Sequence, residues 1–259
     1  DNYRNNYRAF FKMMYREQEI LRNSKHIIGR TDWDYYITRV LASNSKYYHC
    51  DEILRDCFYK NAGKWKPHRR EKQIVLTVTG SSFYKGIETV CQALFELQSI
   101  GVDVELRVAG ISRSDLIVKV VKKKLGRKYP QKGIIYLGKI NEIRIVEHLI
   151  ESDIYVMSSH IENSPNNLCE AMIIGIPCVA THAGGTGTLL IDKIDGLLLQ
   201  DGDPWAMAGA IMEILQKTEL AKQYSINARN KTLKRHNKIN ISVNLLHIYK
   251  EIIMSRGEG

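Results

Sequence analysis

Gln73-Ile74-Val75-Leu76-Thr77-Val78-Thr79-Gly80 is a run of apolar and β-branched residues stopped by a glycine. A continuous apolar run of this length reads as a strand buried on both faces. Ile87, Val90, Cys91, Leu94 and Leu97 then recur at helical spacing up to Gly101. The cycle repeats. Residues 102–109 predict a strand ended by Gly110, and Ser114 or Asp115 opens a helix to about residue 125. Residues 134–137 predict a short strand, Asn141 caps a helix to residue 150, and residues 153–157 predict the next strand. A polar loop and a helix ending at Gly175 follow, with further strands at 177–180 and 196–199. Asp203-Pro204 combines a capping side chain with proline at the first helical position. Repeated β-α units of this length imply an α/β fold, a doubly wound, Rossmann-like parallel sheet of six strands covered by helices on both faces.

Outward from this centre the pattern changes. Tyr3, Tyr7, Phe10, Phe11, Met14, Tyr15 and Leu21 form one apolar stripe on an N-terminal helix, interleaved with Arg4, Arg8, Lys12 and Arg16. His26-Ile27-Ile28 reads as a short strand, and Thr31 or Asp32 caps a helix to about residue 41. A polar connector containing Lys64-Trp65-Lys66-Pro67-His68-Arg69-Arg70 leads to the first central strand. Ile241, Leu245, Ile248, Tyr249 and Ile252 make a final amphipathic helix. The expected organisation is therefore residues 1–70, 71–236 and 237–259. The first residue, Asp1, already lies within a helical pattern, which suggests a piece of something longer.

With 44% hydrophobic and 25% charged residues the chain reads as globular, and its apolar runs fall short of the ~20 residues of a membrane span. Its five cysteines lack CxxC spacing and sit among apolar neighbours, which fits reduced thiols in a cytoplasmic protein better than disulfides or zinc. The formal charge of +10 is densest around Lys119, Lys122, Lys123, Lys124, Arg127, Lys128 and Lys132. A solvated helix face explains that cluster. No nucleic-acid recognition module or interleaved aromatic platform accompanies it, so nucleic acid is not an expected partner. An anionic membrane surface is the second candidate.

Chemistry concentrates in Glu162-Asn163-Ser164-Pro165-Asn166-Asn167-Leu168-Cys169-Glu170, where seven residues separate two glutamates. One carboxylate lies in the loop and the other in or near the first helical turn. Carboxylates to hold hydroxyls beside a helix end to hold phosphate suit a nucleotide-sugar. Gly80, Gly110, Gly138 and the loops after Met157 and Ala180 all fall at the carboxyl edge of the sheet, where such folds bind ligands.

Residues 72–236 resemble, in order and spacing, the donor-binding half of retaining glycosyltransferases of family 4, which have the GT-B fold. The matching parts are Thr79-Gly80-Ser81-Ser82 with Lys85-Gly86, Val108-Ala109-Gly110, Leu137-Gly138, Ser158-Ser159-His160-Ile161-Glu162 and Glu170-Ala171-Met172. Gly175-Ile176-Pro177, Gly184-Gly185 and Gly196-Leu197 complete the set. The resemblance implies hexosyl transfer from UDP- or GDP-sugar to a glycan or lipid-linked acceptor, with retention, in bacterial surface-polysaccharide assembly. It gives Glu170 the ribose diol, Glu162 the donor sugar and reacting carbon, and Lys85 the diphosphate. Gly80, Ser81, Ser82 and Gly110 border the phosphates, and Lys139 and Ile140 meet the base through their backbone. His160 borders the sugar or phosphate. Asn163, Ser164, Pro165, Asn166, Asn167 and Leu168 present backbone N–H groups to sugar hydroxyls and the distal phosphate. Asn166 and Asn167 are also ordinary helix caps.

Two departures stand out. Many members place an arginine about five residues before the lysine, where this chain has Gly80-Ser81, so Ser81 and Ser82 must donate hydrogen bonds instead. The loop Gly184-Gly185-Thr186-Gly187-Thr188 lacks the family's acidic residue and the lysine context of a P-loop, and reads as a flexible turn bordering the site. Lys85 and helix N-termini can serve the phosphates, so neither a cofactor nor a divalent metal is implied.

In the same resemblance residues 1–70 are the tail of the acceptor domain plus linker. The chain is then expected to bind donor but transfer little sugar unaided. The aromatic N-terminal stripe would pack on the absent domain or on a second copy in a homodimer, or dock peripherally on the inner face of the plasma membrane. A nucleotide-sugar-binding module without catalysis and a GT-B sugar-nucleotide epimerase or phosphorylase are the competing readings. An NAD-binding domain is disfavoured, because Gly80-Ser81-Ser82-Phe83-Tyr84-Lys85 contains no GxGxxG.

Overall fold

The computed structural model describes residues 2–68 and 70–255, and the side chains from residue 9 onward except Arg69. Tyr3, Tyr7, Arg4 and Arg8 of the N-terminal stripe therefore lie outside the described side chains, as does Arg69 of the connector. The elements in order are α1 (Asn2–Asn23), β1 (His26–Gly29), α2 (Asp32–Leu41), β2 (Lys46–His49), α3 (Asp56–Lys60) and β3 (Gln73–Val78). A 3-10 turn, Phe83–Lys85, precedes α4 (Ile87–Ser99), β4 (Val104–Ala109) and α5 (Leu116–Leu125), and a second, Gly126–Lys128, precedes β5 (Ile134–Gly138), α6 (Glu142–Glu151) and β6 (Ile154–Met157). Then come α7 (Asn166–Ile174), β7 (Cys178–Thr181), α8 (Thr186–Leu189), β8 (Leu197–Leu199), α9 (Pro204–Gln216), α10 (Thr218–Arg235) and α11 (Lys238–Met254).

The chain divides into two compact units, residues 1–53 with 237–259 and residues 54–236. In the first, β1 and β2 pair in parallel, His26 opposite Lys46 through Gly29 opposite His49. Tyr48, Cys50, Ile241 and Ile248 form its small core. Lys46 pairs with Glu251 of α11, and the Asn244 side-chain amide donates to the His49 carbonyl at 2.9 Å. Thr31 caps α2 in a reciprocal capping box with Asp34, as its position predicted. Phe10, Met13 and Tyr15 of α1 are exposed.

In the second unit, among the described residues, six parallel strands run in the order β5-β4-β3-β6-β7-β8. The chain starts in the middle at β3, builds outward through β4 and β5, then returns to the other side of β3 with β6. The order thus reverses between β3 and β6. Leu76, Leu106, Ile154, Val156, Met172, Ile173 and Val179 are essentially fully buried, as strands and helices covered on both sides require. Asn141 and Asp203 cap α6 and α9 as expected, the Asp203 carboxylate accepting from the Trp205 and Ala206 amides. Such a cap stabilises a helix by about 1 kcal/mol.

Residues 54–65 belong to this sheet unit. Phe58 and Trp65 are buried in its core, the Trp65 indole donates to the Ser152 carbonyl at 2.8 Å, and the Gly63 amide donates to the Ile173 carbonyl at 3.0 Å. Two elements that the sequence reading did not name, β2 and α3, lie between α2 and the polar connector. Both are too short, at four and five residues, to show a period.

Candidate functional site

In an open parallel sheet the crevice beyond the carboxyl ends of the strands is widest where the strand order reverses. Here that place lies between β3 and β6. The two loops leaving those strands are locked together by backbone. The His160 amide donates to the Tyr84 carbonyl at 2.7 Å, and the Ser158 hydroxyl donates to the Lys85 carbonyl at 3.3 Å. Gly86, with φ +63, makes this approach possible, since a Cβ there would stand 1.8 Å from the Ser158 carbonyl oxygen. α7 is tied to the same place, because the Asn167 side-chain amide donates to the Val78 carbonyl at 3.1 Å.

This packing brings Lys85 and Glu162 into contact. Lys85 Nζ donates to Glu162 Oε1 at 2.5 Å, and the Ser159 hydroxyl donates to the same oxygen at 2.8 Å. The Lys85 ammonium also lies over the Tyr84 ring, 5.4 Å from its centroid. Both charged side chains are largely buried, 26% and 10% exposed, so their attraction is screened less than that of a surface pair. The contact thus joins a cation and an anion 77 residues apart in sequence at the reversal of the sheet.

Glu170 lies near the first turn of α7, as its sequence reading allowed. α7 begins at Asn166, so Glu170 is its fifth residue, beyond the first turn. It is buried, and its carboxylate is gripped by Arg55, Nε to Oε1 at 2.8 Å and Nη2 to Oε2 at 2.6 Å. The hydrogen bonds that Arg55 donates to Glu170 raise its pKa above the ordinary value. Breaking a buried pair of this kind costs about 3–5 kcal/mol, and less here because the Arg55 side chain is about half-exposed. Arg55 was not among the sequence candidates.

The helix caps also need correction. Pro165 occupies the cap position of α7 and makes no side-chain cap bond, while Asn166 and Asn167 are already helical. Proline's fixed φ suits this entry, and having no polar side chain it caps none of the first amides of α7 itself. The Asn166 side-chain oxygen is buried without a hydrogen-bond partner. The Leu168 side chain is fully buried, and its amide donates to the Pro165 carbonyl and to the Asn167 side chain, each at 3.1 Å. Asn163 is exposed and Ser164 half-buried at the mouth of the loop.

His160 bridges two carboxylates, Nε2 to Glu88 at 3.4 Å and Nδ1 to Asp201 at 3.3 Å. Lys124 also donates to Glu88 at 2.8 Å. Burial pushes the Glu88 carboxyl upward, but bonds from Lys124, its own backbone and His160 together hold it below the ordinary carboxylate value. These contacts tie the β6 loop to Glu88 of α4 and to Asp201. Gly110, with φ +100, allows close approach, since a Cβ there would meet the Thr79 carbonyl oxygen at 1.9 Å. Gly80 and Ser82 are half-exposed and Ser81 exposed along the β3 loop. Lys139 and Ile140 follow β5, exposed and half-exposed. The glycine-rich loop is only partly a turn: Thr186 starts the short α8 and is buried, its hydroxyl donating to the Ala183 carbonyl at 2.7 Å.

Among the described residues no group of three or more His, Cys, Asp or Glu side chains is placed to hold a metal, and no helix is long and apolar enough to cross a membrane. The cysteines are unpaired, and burial pushes the Cys91 thiol up to about 12.

Residues 60–231, most of the chain, match the family described as glycosyl transferases group 1. The chain belongs to this family. A group 1 glycosyl transferase with this sheet has the GT-B type of α/β fold expected from the sequence. The chain is 29% identical over 149 residues to an uncharacterised glycosyltransferase of Methanocaldococcus jannaschii, covering 57% of this chain and 37% of that protein. It is 25% identical over 126 residues to the UDP-Gal:alpha-D-GlcNAc-diphosphoundecaprenol alpha-1,3-galactosyltransferase of Escherichia coli, covering 49% of this chain and 32% of that protein. Its fold matches Anabaena HepE, solved with UDP and glucose, at a TM-score of 0.72 and 18% identity, over 90% of this chain and 65% of that one. The chain spans less than half the length of the curated relatives it matches.

Proposed function

We propose that this chain supplies the nucleotide-sugar-binding half of a retaining glycosyltransferase that moves a hexose from a UDP- or GDP-linked donor to a glycan or lipid-linked acceptor. The observation that carries this reading is the Lys85–Glu162 contact at the reversal between β3 and β6. The Escherichia coli relative, whose name gives a UDP-sugar donor and a lipid-diphosphate acceptor, and HepE with UDP bound support the substrate class.

The chemistry then divides between the two charges. Departure of the nucleotide places negative charge on the distal phosphate, and Lys85 with the first amides of α7 offsets it. The sugar left behind carries positive, oxocarbenium-like charge, which the Glu162 carboxylate stabilises while orienting sugar hydroxyls. Glu170 accepts from the ribose diol. Lys139 and Ile140 reach the base by backbone, which is why the sequence distinguishes poorly between uracil and guanine. The acceptor meets residues outside this unit, so the isolated chain binds donor and transfers little.

A binding module without catalysis is the second reading, favoured by Gly80-Ser81 where an arginine is usual in the family. One assay separates the two. Transfer-competent protein given α-linked UDP- or GDP-hexose and polyprenyl-diphosphate sugars is expected to yield an α-linked product by proton NMR. A β-linked product would refute retention, and donor binding without product would favour the second reading.

A further inference from the structure

The densest positive charge on the chain has no part in the chemistry above. Residues 116–132 hold seven lysines and arginines and no acidic side chain. α5 buries Ile117, Val118 and Val121 in the core and leaves Lys119, Lys123 and Lys124 exposed. Arg127 and Lys128 in the 3-10 turn after it, and Lys132 beyond, are exposed as well. Among the described residues Lys124 is the member of this group held in an ion pair, with Glu88. The acids on adjoining elements are already engaged, Glu88 by Lys124, Asp201 by His160 and Asp203 by the first amides of α9. Trp205 of α9 joins the same face. It is 59% exposed, and the Lys128 ammonium lies 5.2 Å from its ring centroid. Tyr129, under Lys122, is buried.

We propose that this face, α5 with the turn after it and Trp205, docks on an anionic lipid surface. Cations that the protein itself does not neutralise need a counter-charge spread over their whole span, which a layer of anionic headgroups supplies. An indole, with an apolar body and a polar N–H edge, suits the depth of those headgroups. Lysine stems can lie along the same boundary while their ammonium groups stay in water. Single-stranded nucleic acid would instead stack successive bases on an array of rings, whereas the ring exposed here is Trp205. The face reaches the candidate site, because Glu88 pairs with Lys124 and also contacts His160, which shortly precedes Glu162. A bilayer held there lies beside the loop that carries Glu162. This role needs only charge and exposure and is independent of the nucleotide-sugar reading.

The test is co-sedimentation of the chain with vesicles of phosphatidylcholine alone and of phosphatidylcholine with phosphatidylglycerol in equal parts. Wild type is expected to sediment with the anionic vesicles and to leave them at about 0.5 M salt, where the Debye length is only about 4 Å. The combined change Lys119→Gln, Lys123→Gln and Arg127→Gln should weaken that binding by about 100-fold, each cation near the surface contributing about 5-fold. Trp205→Ala should weaken it by about 10-fold, as expected for partial burial of one large apolar side chain. Vesicles should shift wild-type tryptophan emission to the blue, and Trp205→Phe should abolish the shift. Circular dichroism identifies a variant that has failed to fold, and if the triple variant does so the emission of Trp205→Phe decides. No sedimentation of wild type, or equal sedimentation with neutral vesicles, would overturn the proposal. Full binding by the folded variants would do the same by placing the contact on another face. Binding of soluble polyphosphate without binding of vesicles would assign the cations to a soluble polyanion and overturn it too.

Discussion

Glu162→Gln is expected to lower turnover of transfer-competent protein by about 10²–10³-fold, the usual cost of removing one preorganised electrostatic group from a reacting centre. The substitution keeps the shape of the side chain and an oxygen for the Ser159 hydroxyl, which lies 2.8 Å away. It removes the charge proposed to face the sugar as the nucleotide departs. The same change releases Lys85 from its ion pair, so affinity for nucleoside diphosphate should hold steady or rise. Opposite signs for turnover and binding distinguish a catalytic carboxylate from one that merely supports the loop. Single-turnover rates and titration with UDP and GDP measure the two quantities. Parallel losses in both would assign Glu162 a structural role.

Lys85→Ala should weaken binding of the diphosphate nucleotides by about 10–100-fold, the worth of a charge-assisted hydrogen bond in a partly buried site. The nucleosides uridine and guanosine, which carry no phosphate, should bind as before. The variant leaves Glu162 without its cationic partner, and the unpaired carboxylate then repels the incoming phosphates. The salt dependence of binding should also fall, because fewer counterions are exchanged when one cation is gone. Equal losses for nucleoside and diphosphate would place Lys85 away from the phosphates.

The central sheet was legible because each strand and helix carries its own period. The apolar run before Gly80, the helical recurrence from Ile87 to Leu97 and the caps Thr31, Asn141 and Asp203 each report local physics. Lys85 and Glu162 were legible as separate candidates, while their contact depends on the strand order that folds β6 against β3. Arg55 gave no signal at all. Its partner lies in another helix, and an arginine in a polar connector looks like any solvated cation. The caps of α7 were misread because Asn166 and Asn167 are good capping residues in isolation, whereas Pro165 already sets the entry geometry. With the cap at Pro165, Glu170 is the fifth residue of α7, just past the first turn.

The central claim is that this chain binds the nucleotide of a sugar donor at the β3–β6 edge. Calorimetry of the chain with UDP and GDP, repeated on Glu170→Ala, tests it most directly. The account predicts that wild type binds at least one of the two and that Glu170→Ala weakens that binding by about 10-fold or more. Binding of neither nucleotide, or equal binding by both proteins, would contradict it.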